Sequence, residues 1–203
     1  MANYTLPTNI GFARFNLTRA SRNAVSESPF TFAQQVLTYP GQRWVADVTL
    51  PPLDRTDVDV WRSFFVKLNG REHTFNMGDP LSKTAKGSAG GTPLVNGGSQ
   101  TGKNLVVDGA AASQTRWLLA GDYIQLGTGG NARLYMVTDD VDTNGSGEAT
   151  IPIWPDLQIT PADNDPVVVS NTVGTFRLTS DDMTFETNSN SFSNLSFNAV
   201  SVV

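Results

Sequence analysis

The sequence predicts a mainly β fold with one packed helix, and three observations lead to this prediction. Apolar and polar residues alternate in many short segments, which is the period of half-buried strands. The 203 residues include 18 Gly and 11 Pro, and these residue types favour turns over long helices. One segment repeats its apolar residues at the three- and four-residue spacing of an amphipathic helix. Within this α+β class we expect a β-sandwich or split-barrel domain that carries an inserted second β-barrel or sandwich domain.

Three alternating runs precede the helix, and each places its apolar residues on one face. These residues are Ala13, Phe15 and Leu17, then Phe30, Phe32 and Val36, then Trp44, Ala46, Val48 and Leu50. Pro40-Gly41 predicts a turn between the second run and the third. Pro51-Pro52 ends the third run, because proline has no N–H group to donate to a sheet.

One helix is predicted between residues 54 and 70. Asp54 or Thr56 is placed to cap its N-terminus, because a side-chain oxygen there accepts hydrogen bonds from free backbone N–H groups. Gly70 follows as a left-handed cap at the C-terminus. The apolar stripe consists of Val58, Trp61, Phe64, Phe65 and Leu68. We expect this stripe to pack across a sheet.

A Gly-rich segment follows the helix, and six further strands come after it. Residues 79–104 contain six Gly among Ser, Thr and Lys, a composition typical of a loop or linker. Turn signals then recur about every ten residues, as in a small sandwich or barrel. The predicted strands are Leu105–Val107, Trp117–Leu119, Tyr123–Leu126, Leu134–Thr138, Ala149–Trp154 and Val167–Ser170.

The two ends of the chain are alike in composition, which predicts a discontinuous first domain. Residues 174–203 return to the aromatic-rich style of the start, with Phe176, Phe185, Phe192 and Phe197. We therefore assign residues 1–79 plus 169–203 to one domain. Residues 80–168, with a Gly-rich loop at 82–102, form an inserted β domain. An insertion of this kind requires that the two ends of the interrupted domain lie close together.

Charge and composition exclude several classes of function. The net charge is −5, and residues 104–203 carry 12 acidic but only 3 basic side chains, which argues against a nucleic-acid binder. Residues 1–103 carry 11 basic and 7 acidic side chains. This uneven distribution is either ordinary solvated surface or a head-to-tail contact between a basic face of one copy and an acidic face of the next. The lack of Cys excludes disulfide frameworks, thiolate nucleophiles and Cys-ligated metal sites.

The N-terminus and the apolar runs indicate where the chain is made. Residues 1–7 lack the basic and apolar regions of a signal peptide. No apolar run approaches the ~20 residues that cross a bilayer. We therefore expect a soluble protein, made in a reducing cytosol and without a membrane partner.

One loop imitates a phosphate-binding motif incompletely. The segment from Gly97 to Asn104 nearly matches G-x-x-x-x-G-K-[ST], but Asn104 stands where a hydroxyl is needed for Mg²⁺. A strand rather than a helix is predicted after it. A flexible surface loop is therefore the favoured interpretation.

A second loop imitates the start of a calcium site. Asp140, Asp142 and Asn144 have the right spacing, but Ile151 replaces the Glu that such a loop needs at its twelfth position. A hairpin turn is the favoured interpretation, because Asp, Asn and Gly tolerate turn conformations. Opportunistic cation binding at these residues stays open.

The remaining candidates for chemistry do not form a catalytic group. His73 is the only histidine, and we interpret it as a solvated residue of a strand that follows the helix. The pairs Asp139-Asp140 and Asp181-Asp182 are adjacent, and adjacent strand residues point to opposite faces, so neither pair makes an obvious acid–base couple. We predict no catalytic, cofactor-binding or metal-binding residues and no enzymatic activity.

Ten segments, spread through most of the chain, form one further pattern. They are Gly41–Trp44, Leu50–Leu53, Trp61–Phe64, Leu68–Glu72, Thr74–Pro80, Val95–Gly97, Gln100–Gly102, Trp117–Gly127, Ile153–Pro155 and Gly174–Leu178. In this order they resemble the distal tail proteins of long-tailed, siphovirus-like bacteriophages, which are ring components of the tail tip or baseplate.

The resemblance implies a structural virion protein. Distal tail proteins form a hexameric ring that joins the tail tube to the tail hub and offers a platform for fibres, close to the tape-measure protein. The first domain of the family forms the ring, and the second β domain points outward. The implied location is the tail tip of the virion, after assembly in the host cytoplasm. The family has no catalytic residues to transfer to this chain.

Two other classes of function are alternatives to a ring component. A carbohydrate-binding or receptor-binding tail module would need exposed aromatic residues such as Trp117, Tyr123, Tyr135 or Trp154. Alternation with polar neighbours favours core burial for these residues instead. A cell-wall hydrolase would need two carboxylates at a set separation, and no such pair is evident in the sequence.

Overall fold

A computed structural model describes residues 1–187 and 193–203. These residues form a mainly β protein with one packed α-helix, so this part of the prediction is confirmed. In chain order the elements are β1 (Asn3–Thr5), β2 (Arg14–Glu27), β3 (Gln34–Thr49), α1 (Arg55–Leu68), β4 (Thr74–Met77), β5 (Gly91–Val95), β6 (Asn104–Ala110), β7 (Tyr123–Leu126), β8 (Arg133–Val137), β9 (Ala149–Trp154), β10 (Val167–Val168), β11 (Gly174–Leu178), β12 (Glu186–Thr187), β13 (Ser193–Asn194) and β14 (Ser196–Ser201). No helix of the described residues is both long enough and apolar enough to cross a membrane.

The first sheet is built from strands near both ends of the chain. Its order is β1-β4-β11-β14-β3-β2, and every neighbouring pair is antiparallel except β1 with β4. β1 and β2 are therefore the two edges of this sheet. They differ greatly in length, because β1 has 3 residues and β2 has 14.

The second sheet is built from the middle of the chain and nearly closes into a barrel. Its order is β10-β7-β8-β9-β6-β5, with every pair antiparallel. The two edges approach each other where the Val95 N–H donates to the Asp165 carbonyl and the Asn164 N–H donates to the Val95 carbonyl, both at 2.9 Å. The side chains inside form their own apolar cluster, which includes Leu105, Ile124 and Ile151.

α1 begins and ends through local hydrogen bonds. The Asp54 side chain accepts from the Asp57 N–H at 3.0 Å, so of the two predicted candidates Asp54 rather than Thr56 is the N-cap. The C-cap is Asn69 in the left-handed conformation, φ 48°, rather than Gly70, which follows with φ 63°. Asn is the residue other than Gly that adopts this conformation most readily, so the predicted cap was wrong by one position.

The first core lies between α1 and the first sheet. All five residues of the predicted helical stripe are buried, as are Trp44, Ala46 and Val48 on β3. The Trp61 ring lies within 6.4 Å of the rings of Phe12 and Phe197, among others. Burial of these aromatic side chains is the main force that holds α1 on the sheet.

The two sheets touch each other through a shared aromatic contact. The Trp44 indole N–H donates to the Leu134 carbonyl on β8 at 2.9 Å. The Trp44 ring also meets the Trp154 ring of β9 edge to face, with centroids 4.5 Å apart. Leu134 and Trp154 therefore belong to the first core although their strands belong to the second sheet.

The sequence misplaced the turn of the first hairpin. Phe30 and Phe32 do not lie in a strand but in the loop that joins β2 to β3, where the Ser28 N–H donates to the Ala33 carbonyl at 2.9 Å. Pro40-Gly41 is not a turn but lies within β3, at a register shift opposite Ser21 and Arg22. A bulge tolerates proline because the bulged residue does not need to donate to the neighbouring strand.

Two further predictions in the middle of the chain were wrong. Trp117–Leu119 is not a strand, since Leu118 makes only an isolated bridge to Val141. The Gly-rich segment 82–102 is not a loop throughout, because β5 lies within it. β5 is an edge strand, and an edge accommodates the Gly and Pro residues that mark a loop elsewhere. Of the predicted aromatic residues, Phe192 lies outside the described residues.

Candidate functional site

The outer half of the β2–β3 hairpin is the most exposed part of the described chain. We call residues 21–41 the arm. No residue of the arm is buried, and only Ser28 is half-buried. The side chains of Val25 and Val36, which are paired across the strands, are 60% and 59% exposed. Leu37 and Tyr39 are 56% and 49% exposed on the other face, so neither face of the arm is covered.

The tip of the arm is a closed loop that presents two phenylalanine rings. The Ser28 hydroxyl accepts from the N–H groups of Phe30 and Thr31, each at 3.4 Å, and the Phe32 N–H donates to the Ser28 carbonyl at 2.9 Å. Phe32 has φ 56°, a conformation that is unfavourable for a bulky residue. Phe30 is 91% exposed and Phe32 is 74% exposed. The loop therefore holds both rings in solvent at a cost in backbone strain.

The root of the arm is fixed to both sheets. The Gln42 side chain accepts from the Asp156 N–H at 2.7 Å, and the Gln42 carbonyl accepts from the Gln158 side chain at 3.0 Å. The Arg19 guanidinium lies over the Trp154 ring, 5.6 Å from its centroid. These contacts attach the arm to the point where the two sheets meet.

The incomplete phosphate-binding motif is an ordered loop in front of a strand. β6 begins at Asn104, so a strand follows the motif as predicted. The Gln100 amide N–H group donates to the carbonyls of Asn96, Gly97 and Val106 at 2.9–3.0 Å. The Gln100 side-chain oxygen accepts from the Val106 N–H at 2.7 Å. One side chain thus makes four hydrogen bonds within this surface loop.

The incomplete calcium motif forms turns whose oxygen atoms accept backbone hydrogen bonds. Asp140 accepts from the Ala120 N–H at 3.0 Å, and Asp142 accepts from the Arg116 N–H at 2.6 Å. The Asn144 side-chain oxygen accepts from two N–H groups of its own turn at 2.9 Å. Across residues 1–187 and 193–203, no three His, Cys, Asp or Glu side chains are grouped to hold a metal ion.

His73 lies just before β4, not in a strand as predicted. Its ring packs against Tyr4 with centroids 5.5 Å apart, and Nδ1 accepts from the Ala2 N–H at 3.4 Å. Its Nε2 is 3.8 Å from a carboxylate oxygen of Glu72. His73 is half-buried and helps to hold the N-terminal residues against β4.

The two predicted acidic pairs are separate structural groups. Asp181 makes a bidentate ion pair with Arg71, with oxygen–nitrogen distances of 2.6 and 3.0 Å. The hydrogen bond and charge of Arg71 lower the pKa of Asp181 to about 2. Asp139 accepts from the Thr138 hydroxyl at 3.1 Å, whereas Asp140 binds the backbone as described above. Neither pair has the arrangement of an acid and a base.

The aromatic residues proposed for glycan binding are in the cores. Trp117 and Tyr135 are fully buried, and Trp154 is buried against Trp44. Tyr123 is half-buried. Burial of its phenol, and to a smaller extent the charge of Asp79, raise its pKa to about 12. Core burial was therefore the correct interpretation for the three buried residues. Three of the four aromatic residues named for a carbohydrate-binding module are therefore not available to stack on a sugar ring.

The sequence pattern does not predict the arm, although one signal for it exists. Ser28-Pro29 followed by an alternating run looks like the start of a strand, and Pro40-Gly41 looks like its end, so the turn is expected in the wrong place. Within the arm, the polar residues from Ser21 to Ser28 are interrupted by few apolar ones, so this segment lacks the apolar density of a core strand. Exposure of Phe30 and Phe32 depends on the turn position and is not visible in the pattern.

Comparison with protein-family models gives no match, and no curated protein matches the chain. The exposed arm and the residue patterns described above are therefore the observations that bear on function.

Proposed function

We propose that this chain is a structural subunit of a bacteriophage tail tip that associates head to tail with copies of itself. The assembly is a closed ring, with six copies as the expected number. It joins the tail tube protein to the tail hub or baseplate protein, with the tape-measure protein and the tail fibres as further neighbours. Its place is in the virion, after assembly in the host cytoplasm, and its role requires no reaction and no specific nucleic-acid binding.

The observation that carries this proposal is the exposure of the arm on both faces. A two-stranded hairpin is marginally stable in water when no third layer covers it. The arm nevertheless keeps Val25, Phe30, Phe32 and Val36 in solvent. Exposed apolar surface of this kind on one projecting element is typical of an interaction site.

The division of strands between the sheets supports a two-domain plan within the ring. β1–β4, β11 and β14 lie outside residues 80–168, and β5–β10 lie inside this range. In our proposal the first sheet and α1 form the ring domain, as a sandwich or split barrel. The inserted second domain, which contains the barrel-like sheet, points outward toward fibres or other tail proteins.

Native mass spectrometry of the full chain, alone and mixed with tail tube and hub proteins, tests the proposal. We expect a closed oligomer of the wild-type chain. A variant in which residues 23–38 are replaced by Asn-Gly joins Arg22 to Tyr39 through a two-residue turn and removes the outer arm. This variant is expected to fold but to remain a single copy.

Val66→Ser is the matched control for the loss of exposed apolar surface. Val66 is 69% exposed on the outer side of α1 and lies outside the arm. This variant should assemble like the wild type. A wild-type chain that stays a single copy in every mixture contradicts the ring, and an arm-shortened chain that still assembles contradicts the role of the arm.

A further inference from the structure

A groove with apolar walls lies at the opposite edge of the first sheet. Its volume is about 460 Å³, and it lies between β1 with the residues that follow it and the segments after β4 and before β11. The buried Met77 and the half-buried side chains of Leu6, Ile10 and Phe12 supply its apolar surface. Cavities of this size accommodate apolar side chains.

The groove and the arm lie at opposite edges of one sheet. The groove is built on β1, which is one edge, and the arm continues β2, which is the other edge. A contact between these two surfaces cannot be satisfied within one copy in this arrangement. Between copies it is heterologous, so each copy offers one arm and one groove, and repetition leads to a closed ring or a filament.

The two surfaces are complementary in apolar character and in charge. The tip offers two rings, Phe30 and Phe32, and one carboxylate, Glu27, which accepts from the Gln34 side-chain amide and makes no ion pair within the described residues. The groove offers apolar walls and one ammonium group, Lys83, for which the described residues provide no ion pair. The other charged residue of the groove, Asp79, keeps its negative charge, but its carboxylate accepts from the Leu81 N–H at 2.9 Å and from the Ser82 hydroxyl at 3.1 Å and makes no ion pair with Lys83. An incoming carboxylate would therefore find the positive charge of Lys83 available.

We propose that the tip of the arm of one copy binds in the β1 groove of the next copy. Phe30 and Phe32 insert between the apolar walls, and Glu27 pairs with Lys83 at the rim. The strained loop at Phe32 presents the rings before binding, so little conformational freedom is lost on contact. This inference rests on the proposed ring and names the surface of the partner copy that the arm contacts.

Cross-linking between two single-cysteine chains tests the contact directly, because the natural chain has no Cys. Full-length Thr31→Cys chains are mixed with full-length Thr8→Cys chains of different mass and treated with a short bis-maleimide; both residues are exposed, Thr31 at the tip and Thr8 in the lining of the groove, and both rings are kept. We expect the mixed dimer to exceed, at least about tenfold, the yield from Val66→Cys with Thr8→Cys. Val66 is a suitable control because it is comparably exposed but lies on α1.

Phe32→Asn separates loss of binding from loss of folding. Asn tolerates positive φ better than Phe, so this variant relieves strain and should unfold at a temperature no lower than the wild type. It should nevertheless lose assembly. Glu27→Lys should weaken association a few-fold, about two- to fivefold, and Lys83→Glu in the same chain should restore it.

The outcomes distinguish this inference from the proposed ring. If the wild-type chain never associates, the ring and the groove contact both fail. If the ring forms but Thr31→Cys links to Thr8→Cys no better than the control, the ring stands and the groove contact is overturned. If the arm links only to an added tail tube or hub protein, the occupant of the groove is not a second copy and the inference is also overturned.

Discussion

The inner and outer halves of the β2–β3 hairpin share the same two strands, joined across a register shift, but their surroundings differ completely. In the inner half, Trp44, Ala46 and Val48 are buried under α1 and against the second sheet. In the outer half, beyond the bulge at Ser21 and Arg22, no side chain is buried. Strand pairing is therefore not what stabilises the hairpin. The inner half is stabilised by burial of apolar surface, whereas the outer half leaves its apolar side chains exposed to solvent.

The largest expected effect is the difference in free energy of unfolding between alanine substitutions at two aromatic residues of β3. Trp44→Ala should lower the free energy of unfolding by about 3–5 kcal/mol, because it removes a buried ring and the hydrogen bond to the Leu134 carbonyl. Tyr39→Ala, five residues earlier and half-exposed, should change it by less than about 0.5 kcal/mol. Urea denaturation of the unassembled chain measures both. Equal losses would show that the outer half is part of the folded core after all.

The rate of amide hydrogen exchange should also differ between the inner and outer halves of the hairpin. Amides of residues 21–27 in the unassembled chain should exchange at least about a hundredfold faster than those of residues 44–48, because the outer ladder opens without exposing a core. If the proposed ring forms, the outer amides should become protected in it. Exchange resolved by mass spectrometry on both forms is the measurement, and slow exchange of the arm in the single copy would contradict the comparison.

The smallest expected effect concerns a polar contact that, like the arm, has no apolar cover. The Arg71–Asp181 pair joins the end of α1 to the segment after β11, and both side chains are more than half exposed. The pKa of Asp181 is lowered to about 2, below its value in an unfolded chain, so the pair stabilises the fold above pH ~4 and loses this effect as the pH falls through 2.

Asp181→Asn should therefore be slightly less stable than the wild type at neutral pH, and the difference should shrink as the pH is lowered and as salt is added. Thermal unfolding of both chains across this pH range checks the sign. The adjacent Asp182→Asn is the control, since its carboxylate makes no ion pair within the described residues. A difference that grows on acidification would contradict the assignment.

The sequence alone determined the helix, the apolar face of β3 and the lengths of β7 and β9. These features depend on local periodicity, which is visible in residues such as Trp61 and Val48 because their neighbours alternate or recur with the right spacing. Capping by Asp54 is likewise local, since one side chain and one N–H three residues later decide it.

Only the tertiary structure decided that Phe30 and Phe32 are exposed while Trp117 and Tyr135 are buried. All four are aromatic residues in runs of similar character, and their burial depends on which distant strands close around them. Pro40-Gly41, which the sequence predicts as a turn, is likewise a bulge in the structure, because the partner strand continues past it. Burial depends on how the sheets and the helix pack together and not on a short stretch of sequence. The arm and the β1 groove therefore follow only from the order of strands in the first sheet, which defines its two edges.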